Sequence, residues 1–197
     1  MARRSRDARY ADLVSAAMAT FAERGVQNTL VSDIVRAAGV AQGTFYLYFK
    51  TKDDIVLAVV DNIVDRLQAN LVRAVADEGG SAVERLQRLC DVLGGLTDMP
   101  GTTEIVDFMH RAENRPLHDR LVASLAPKLV ELMEGVVRQG VAEGTFDVPD
   151  PRAAAWFVLA GLQGTELSGT PVAEAPQALG SAAVLALRAL GYREPRP

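Results

Sequence analysis

Cysteine occurs once in this 197-residue chain, as Cys90, so no internal disulfide can form and a cysteine-built metal site is excluded. Histidine occurs twice, as His110 and His118, too few for a histidine cage. No apolar run is long enough to span a bilayer. The basic start, "MARRSRDARY", is not followed by the apolar core of a secretion signal, so a cytoplasmic protein is expected. Strand-period alternation never extends usefully, there is no internal repeat, and neither a phosphate loop nor a dinucleotide fingerprint is present. These gaps remove the disulfide-rich, membrane-spanning, nucleotide-binding and β-rich classes.

What remains is a chain of ordinary globular composition, 49% hydrophobic and 23% charged, long enough for a sizeable core. Its net charge of −4 is unevenly spread. Residues 1–52 carry a balance of +4 and the rest −8. A basic head on an acidic body fits a head that meets a polyanion, although solvated charge on opposite faces gives the same count.

Every periodic stretch has the helical period. Tyr10, Val14, Ala17, Met18 and Phe21 form one apolar stripe, with Ser5 as a possible cap and Gly25 as the stop. Thr29 offers the N-cap hydroxyl of a short helix carrying Ile34, Val35 and Ala38, and Gly39 ends it. A second short helix runs from about Gln42 to Phe49. "TKDD" reads as a capping box, Thr51 with Asp54, opening a long helix with Ile55, Val59, Ile63, Leu67, Leu71 and Val75 at steps of four. "DEGGS", residues 77–81, is the clearest break. Beyond it, Val83, Leu86, Leu89, Cys90 and Leu93 mark a helix stopped near Pro100. Thr102 or Thr103 caps the next, to about Glu113. A long helix from Leu117 to Gly140 should kink at Pro127, and two last helices are expected at about 151–167 and 173–190. The expected fold is all-α with about nine helices. It divides into a head at 1–52, a connecting helix and linker at 53–80, and a C-terminal domain at 81–197.

The segment "VAQGTFYLYFK", residues 40–50, carries the sharpest signal. Phe45 and Phe49 stand four apart and share one helix face, which with Phe21, Ile34 and Val40 makes a small core. Gln42, Gly43, Thr44, Tyr46, Leu47 and Tyr48 are left on or near the outer face. Two short helices joined at a Gly turn, behind a longer helix, form a helix-turn-helix whose second helix enters the major groove (about 30–49 here). Gly43 allows close approach. Gln42 and Thr44 suit base edges. The hydroxyls of Tyr46 and Tyr48, with Lys52, suit phosphate oxygens. Arg3, Arg4 and Arg6 either form a solvated tail or reach a minor groove or phosphates.

"TLVSDIVRAAGVAQGTFYLYFKTKDDIVLAV" resembles the N-terminal signature of the tetracycline-repressor (TetR) family, over roughly residues 10–65. The resemblance implies that Thr29, Gln42, Gly43, Thr44, Tyr46, Tyr48 and Lys52 occupy positions that commonly contact DNA. Three residues depart from the pattern. Val35 stands where a small Ala is usual. Leu47 replaces a common aromatic or polar residue and can touch a thymine methyl. Ala41 lacks a capping hydroxyl, a loss of about 1 kcal/mol.

The second half supports chemistry poorly. Cys90 lies on an apolar stripe, and Glu104, Asp107 and His110 read best as a solvated or ion-paired face. No catalytic or metal site and no cofactor is expected. The resemblance implies a C-terminal domain that binds a small hydrophobic effector. Leu86, Cys90, Leu93, Phe108, His110, Arg111, Leu125, Met133, Trp156 and Gln163 are the candidate lining, although most serve equally well as plain core. "RAAAWFVLAGLQGTELSG" and "LGSAAVLALRAL" are nearly neutral helices, suited to a four-helix seam between two subunits. Trp156 could lie in that seam instead of against a ligand. The function expected is a homodimeric, ligand-responsive repressor of double-stranded operator DNA. The alternatives are an activator of the same kind, or a helical small-molecule binder or enzyme whose basic head docks protein.

Overall fold

A computed structural model describes residues 6–76, 79–95, 101–167 and 174–192. Arg3, Arg4, Ser5, Pro100 and the final "REPRP" lie outside them, so the tail readings and the Ser5 cap are not addressed. Nine α-helices are described: α1 Arg6–Arg24, α2 Val31–Ala37, α3 Gln42–Tyr46, α4 Lys52–Val75, α5 Ala82–Gly94, α6 Thr103–His110, α7 Arg115–Ala142, α8 Pro151–Leu167 and α9 Ala175–Ala189. A 3₁₀ turn, Ala112–Asn114, joins α6 to α7. There is no strand among the described residues.

Compactness divides the chain into two units, residues 1–66 with 97–122, and residues 67–96 with 123–197. The cut falls inside α4 and gives α6 to the first unit, unlike a division at 52 and 80. In the first unit α1 packs on α2 and α6, and α2 packs on α3. The stripe of α1 is buried from Val14 onward, with Ala17 and Phe21 fully inside beside Leu13, whereas its first member, Tyr10, is 42% exposed. Ile34, Phe45, Ile55, Val59 and Ile63 join it without exposure, and Phe49 nearly so. Val40 is only half-buried, because it sits in the turn beside the core. Gly25 and Gly39 end α1 and α2 at φ +78° and +64°, conformations that side chains with a Cβ resist. Thr51 and Asp54 form the expected capping box. The Asp54 N–H donates to Thr51 Oγ1 at 3.1 Å, and Asp54 Oδ2 accepts from the Thr51 N–H at 3.0 Å.

In the second unit α9 packs against α5 and α8. Ser81 caps α5 in a second reciprocal box with Glu84. Polar ties fix the chain between helices: Glu143 Oε2 accepts from the Ala82 N–H at 3.1 Å, and Gln139 Nε2 donates to the Gly80 carbonyl at 2.9 Å. Glu134 receives Arg138 and, at 3.0 Å, Arg152. α7 runs through Pro127 without ending. Ala123 and Pro127 both lie on its exposed side, where water can replace the N–H that proline lacks. Pro127 therefore does not break this helix into two.

Candidate nucleic-acid interface

The geometry around α3 follows from two phenylalanines. α3 ends at Tyr46, short of the expected Phe49, and at about 100° per residue its C-cap Leu47 lies about 200° from Phe45, while the Phe49 N–H still donates to the Phe45 carbonyl at 3.0 Å. Those two rings are 0% and 4% exposed, whereas Leu47 is 74% exposed on the opposite face. Gln42, Gly43 and Tyr46 are exposed as well, and a Cβ built on Gly43 would meet nothing within 4 Å. Thr44 and Tyr48 lie half-buried at the flanks. α3 is thus anchored through one face and presents the other. Its N-cap is Ala41, with no side-chain cap bond, as the missing hydroxyl dictates.

The aromatics divide as the spacing requires. The Tyr46 ring stands edge-on to Phe45, centroids 5.4 Å apart, with half of the residue exposed. The Tyr48 ring lies between Phe49 at 6.5 Å and Tyr10 of α1 at 6.4 Å. Tyr10 also touches Phe49 at 5.2 Å and is 42% exposed. It positions Tyr48 from outside, a role the sequence reading missed. In the sequence Tyr10 is one more apolar member of the α1 stripe, and nothing in the spacing marks it off.

Thr29 requires a correction. Its side chain is fully buried, and its hydroxyl donates to the carbonyls of Gly25 at 2.8 Å and Thr20 at 3.4 Å. The N-cap of α2 is Leu30, and Asp33 supplies the capping bond from within the helix, its Oδ2 accepting from the Leu30 N–H at 3.0 Å. The Thr29 hydroxyl closes the turn that aims α2 and offers no side-chain surface to a ligand. Asp33 also receives Arg36 at 3.2 Å and Arg24 at 3.5 Å. The Leu30 N–H, aided by the two guanidiniums, holds its carboxyl below the usual aspartate range. Lys52 is half-buried, and its Nζ donates to the Gln27 carbonyl at 3.1 Å. Partial burial lowers its pKa against the opposing pull of Asp53. It ties the start of α4 to the turn before α2. Lys50 is exposed beside it.

The candidate effector residues fall in both units. Leu86, Cys90, Leu125 and Met133 are buried in the second, and Leu93 and Gln163 are half-buried there. In the first, Phe108 is half-buried, and His110 and Arg111 are exposed. The His110 ring packs on His118 at 5.0 Å, and its Nδ1 lies 2.8 Å from the Val106 carbonyl. Burial, and then Asp91, push the Cys90 thiol up to about 11, so it is no nucleophile. Trp156 is 50% exposed next to Phe157 at 68%. Ala155, Val158, Leu159 and Leu162 take the buried side of α8, which leaves Trp156 and Phe157 on its outer side.

The profile of the bacterial regulatory proteins of the tetR family matches residues 13–59, which hold the core and exposed face just described. Residues 13–59 are therefore a tetR-type N-terminal region. Among tetR-type relatives, the chain is 41% identical over 56 residues to the uncharacterized HTH-type transcriptional regulator YvdT of Bacillus subtilis, covering 28% of this chain and 29% of that protein. It is 28% identical over 141 residues to the fatty acid metabolism regulator protein of Bacillus subtilis, covering 69% of this chain and 70% of that one. It is 36% identical over 83 residues to the HTH-type transcriptional repressor KstR2 of Mycobacterium tuberculosis, covering 42% and 41%. The matched stretch thus spans under half the length of YvdT and of KstR2. The crystal structure of the transcriptional regulator FadR from Bacillus subtilis, in complex with stearoyl-CoA, superposes with a TM-score of 0.63 at 23% identity, covering 88% of this chain and 97% of that one. The named relatives are all regulators, and YvdT and KstR2 are of the helix-turn-helix type.

Proposed function

We propose that this chain is a homodimeric transcriptional repressor that holds an inverted-repeat operator through α3 and is released by a small apolar effector. One observation carries the reading: the exposed face of Gln42, Gly43, Tyr46 and Leu47 is built on a fully anchored Phe45–Phe49 core. Gln42, Gly43, Thr44, Tyr46, Leu47, Tyr48 and Lys52 form the proposed contact set, and position 29 is left with its backbone only. Residues 1–52 act as the DNA-binding head, 53–80 as connector, and 81–197 as the effector and dimer domain.

Dimerisation is proposed through α8 and α9, whose outer residues Trp156, Phe157, Val184 and Leu185 are all at least half exposed. A soluble monomer rarely leaves such a patch uncovered. Among the described residues no helix is long and apolar enough to cross a membrane, which supports residence with DNA in the cytoplasm. KstR2 is named a repressor, and FadR holds stearoyl-CoA, which support repression and an acyl-bearing or similarly apolar effector. Coupling runs through α4, with the contact of α6 on α1 as a second route into the head. Gly101, just before α6, lies so close to α1 that a Cβ there would come within 2.9 Å of Met18 Cγ.

The test is transcription from a promoter carrying the selected operator, in extract, with purified chain. Repression relieved by long-chain acyl compounds is the expected result. Activation, or no response, would refute the repressor reading.

A further inference from the structure

The recognition segment lacks every charged group that reads a G·C pair. From Ala37 to Phe49 there is no Arg, Lys, Asp or Glu. The commonest specific contact in the major groove is Arg or Lys on guanine O6 and N7, and cytosine N4 is read by a carboxylate. Outside the segment, Arg24 and Arg36 are held on Asp33, and the exposed Lys50 lies past Phe49, beyond the end of α3. Lys52 is turned to the Gln27 carbonyl. Besides the Tyr46 hydroxyl, which suits a phosphate, α3 presents an amide and apolar surface: Gln42, Ala41 and Gly43 exposed, and Leu47 at 74% exposure opposite the anchoring rings.

Each of these has a natural partner on an A·T pair. A glutamine amide donates to adenine N7 and accepts from adenine N6. An exposed leucine matches the thymine 5-methyl, which is the one apolar group on a major-groove base edge. Gly43, four residues before Leu47, adds no side chain to that face, and a Cβ there would meet nothing within 4 Å. Gln42 and Leu47 are five residues apart, about 7.5 Å along the helix, or about two base-pair steps.

Resting on the DNA-binding reading, we propose that Leu47 is a specificity-determining residue that packs on a thymine methyl, and that with Gln42 on adenine it makes the α3 half-site an A·T reader. Removing one thymine methyl opposite Leu47 then removes one methyl-sized apolar contact and weakens binding about fourfold. Removing adenine N7 opposite Gln42 weakens it about tenfold or more.

The test starts with selection of duplexes from a random pool by the full-length protein. Deoxyuridine is then placed for each thymine, and 7-deazaadenine for each adenine, of the selected half-site. Wild type is expected to lose about fourfold at one or two thymines per half-site. Leu47→Ala, a change on an exposed side, is expected to bind the thymine and uracil duplexes equally while keeping the wild-type melting temperature. Gln42→Ala is expected to become indifferent to 7-deazaadenine alone. A selected half-site built on invariant G·C pairs overturns the proposal, as does a methyl effect that persists in Leu47→Ala. Failure to enrich any sequence is a different result, because it removes the DNA-binding reading together with this one.

Discussion

Phe157→Asp is expected to split the dimer while leaving the protomer folded. Phe157 is 68% exposed on the outer side of α8, so little of it stabilises the isolated chain. Burying a phenylalanine fully contributes about 1.5–3 kcal/mol, and the exposed two thirds about 1–2 kcal/mol. A two-fold seam counts the residue twice, giving about 2–4 kcal/mol before any charge repulsion. The dimer dissociation constant should therefore rise roughly 30- to 700-fold. Sedimentation equilibrium reads the constant directly, and a thermal melt monitors the protomer. Operator affinity should fall in parallel, because one head reaches only one half-site. A variant as dimeric as wild type, or a wild type that is monomeric at every concentration reached, would refute the reasoning. The position matters. Ala183 and Leu187, also on α9, are half-buried. Charge there would damage folding as well as assembly, whereas Val184 and Leu185 are the exposed pair.

Other expectations follow from single contacts. Lys52→Ala should weaken all DNA sequences about equally and lower the salt slope by about 1. It should also lower the melting temperature, because the tie to Gln27 goes with it. Ser81→Ala should cost about 1 kcal/mol in a denaturant titration, from loss of the α5 cap. Gly140→Ala should cost about 1–3 kcal/mol, since the added Cβ meets the Phe146 ring. The carboxyls of Asp33, Asp54 and Glu143 are all depressed by backbone N–H bonds to Leu30, Thr51 and Ala82. Their stabilisation is present above the usual carboxyl range and is lost as pH falls through their folded values. A chemical-denaturation series against pH should show this decline, flattened in Asp54→Asn, and an unchanged slope in that variant would contradict it.

Much of this was legible because the determining signals are local. The four-residue steps from Ile55 to Leu71 fixed a buried face, and each of those residues is 2% exposed or less. "TKDD" revealed its cap because a capping box lies within four consecutive residues. The α8 and α9 bounds lay within two residues of those read from composition and turns. Thr29 was misread because a hydroxyl just before a helix looks like an N-cap whether it turns outward or back. Only the fold places the Thr20 and Gly25 carbonyls within its reach. Trp156 was left open between pocket and seam for a related reason. A nearly neutral helix has no polar stripe to show which side is out, so its large residues read as interior. The division inside α4 was invisible because nothing in that helix interrupts its period.

The central claim is that the α3 face of a dimer reads DNA. Fluorescence anisotropy of a selected inverted-repeat duplex, titrated with the full chain across a salt series, tests it most directly. The account predicts one dimer per duplex and a log–log slope steeper than about −3, from phosphate contacts on two heads. It also predicts an affinity at least a hundredfold above that for scrambled duplex. Equal affinity for both duplexes, or binding indifferent to salt, would contradict it.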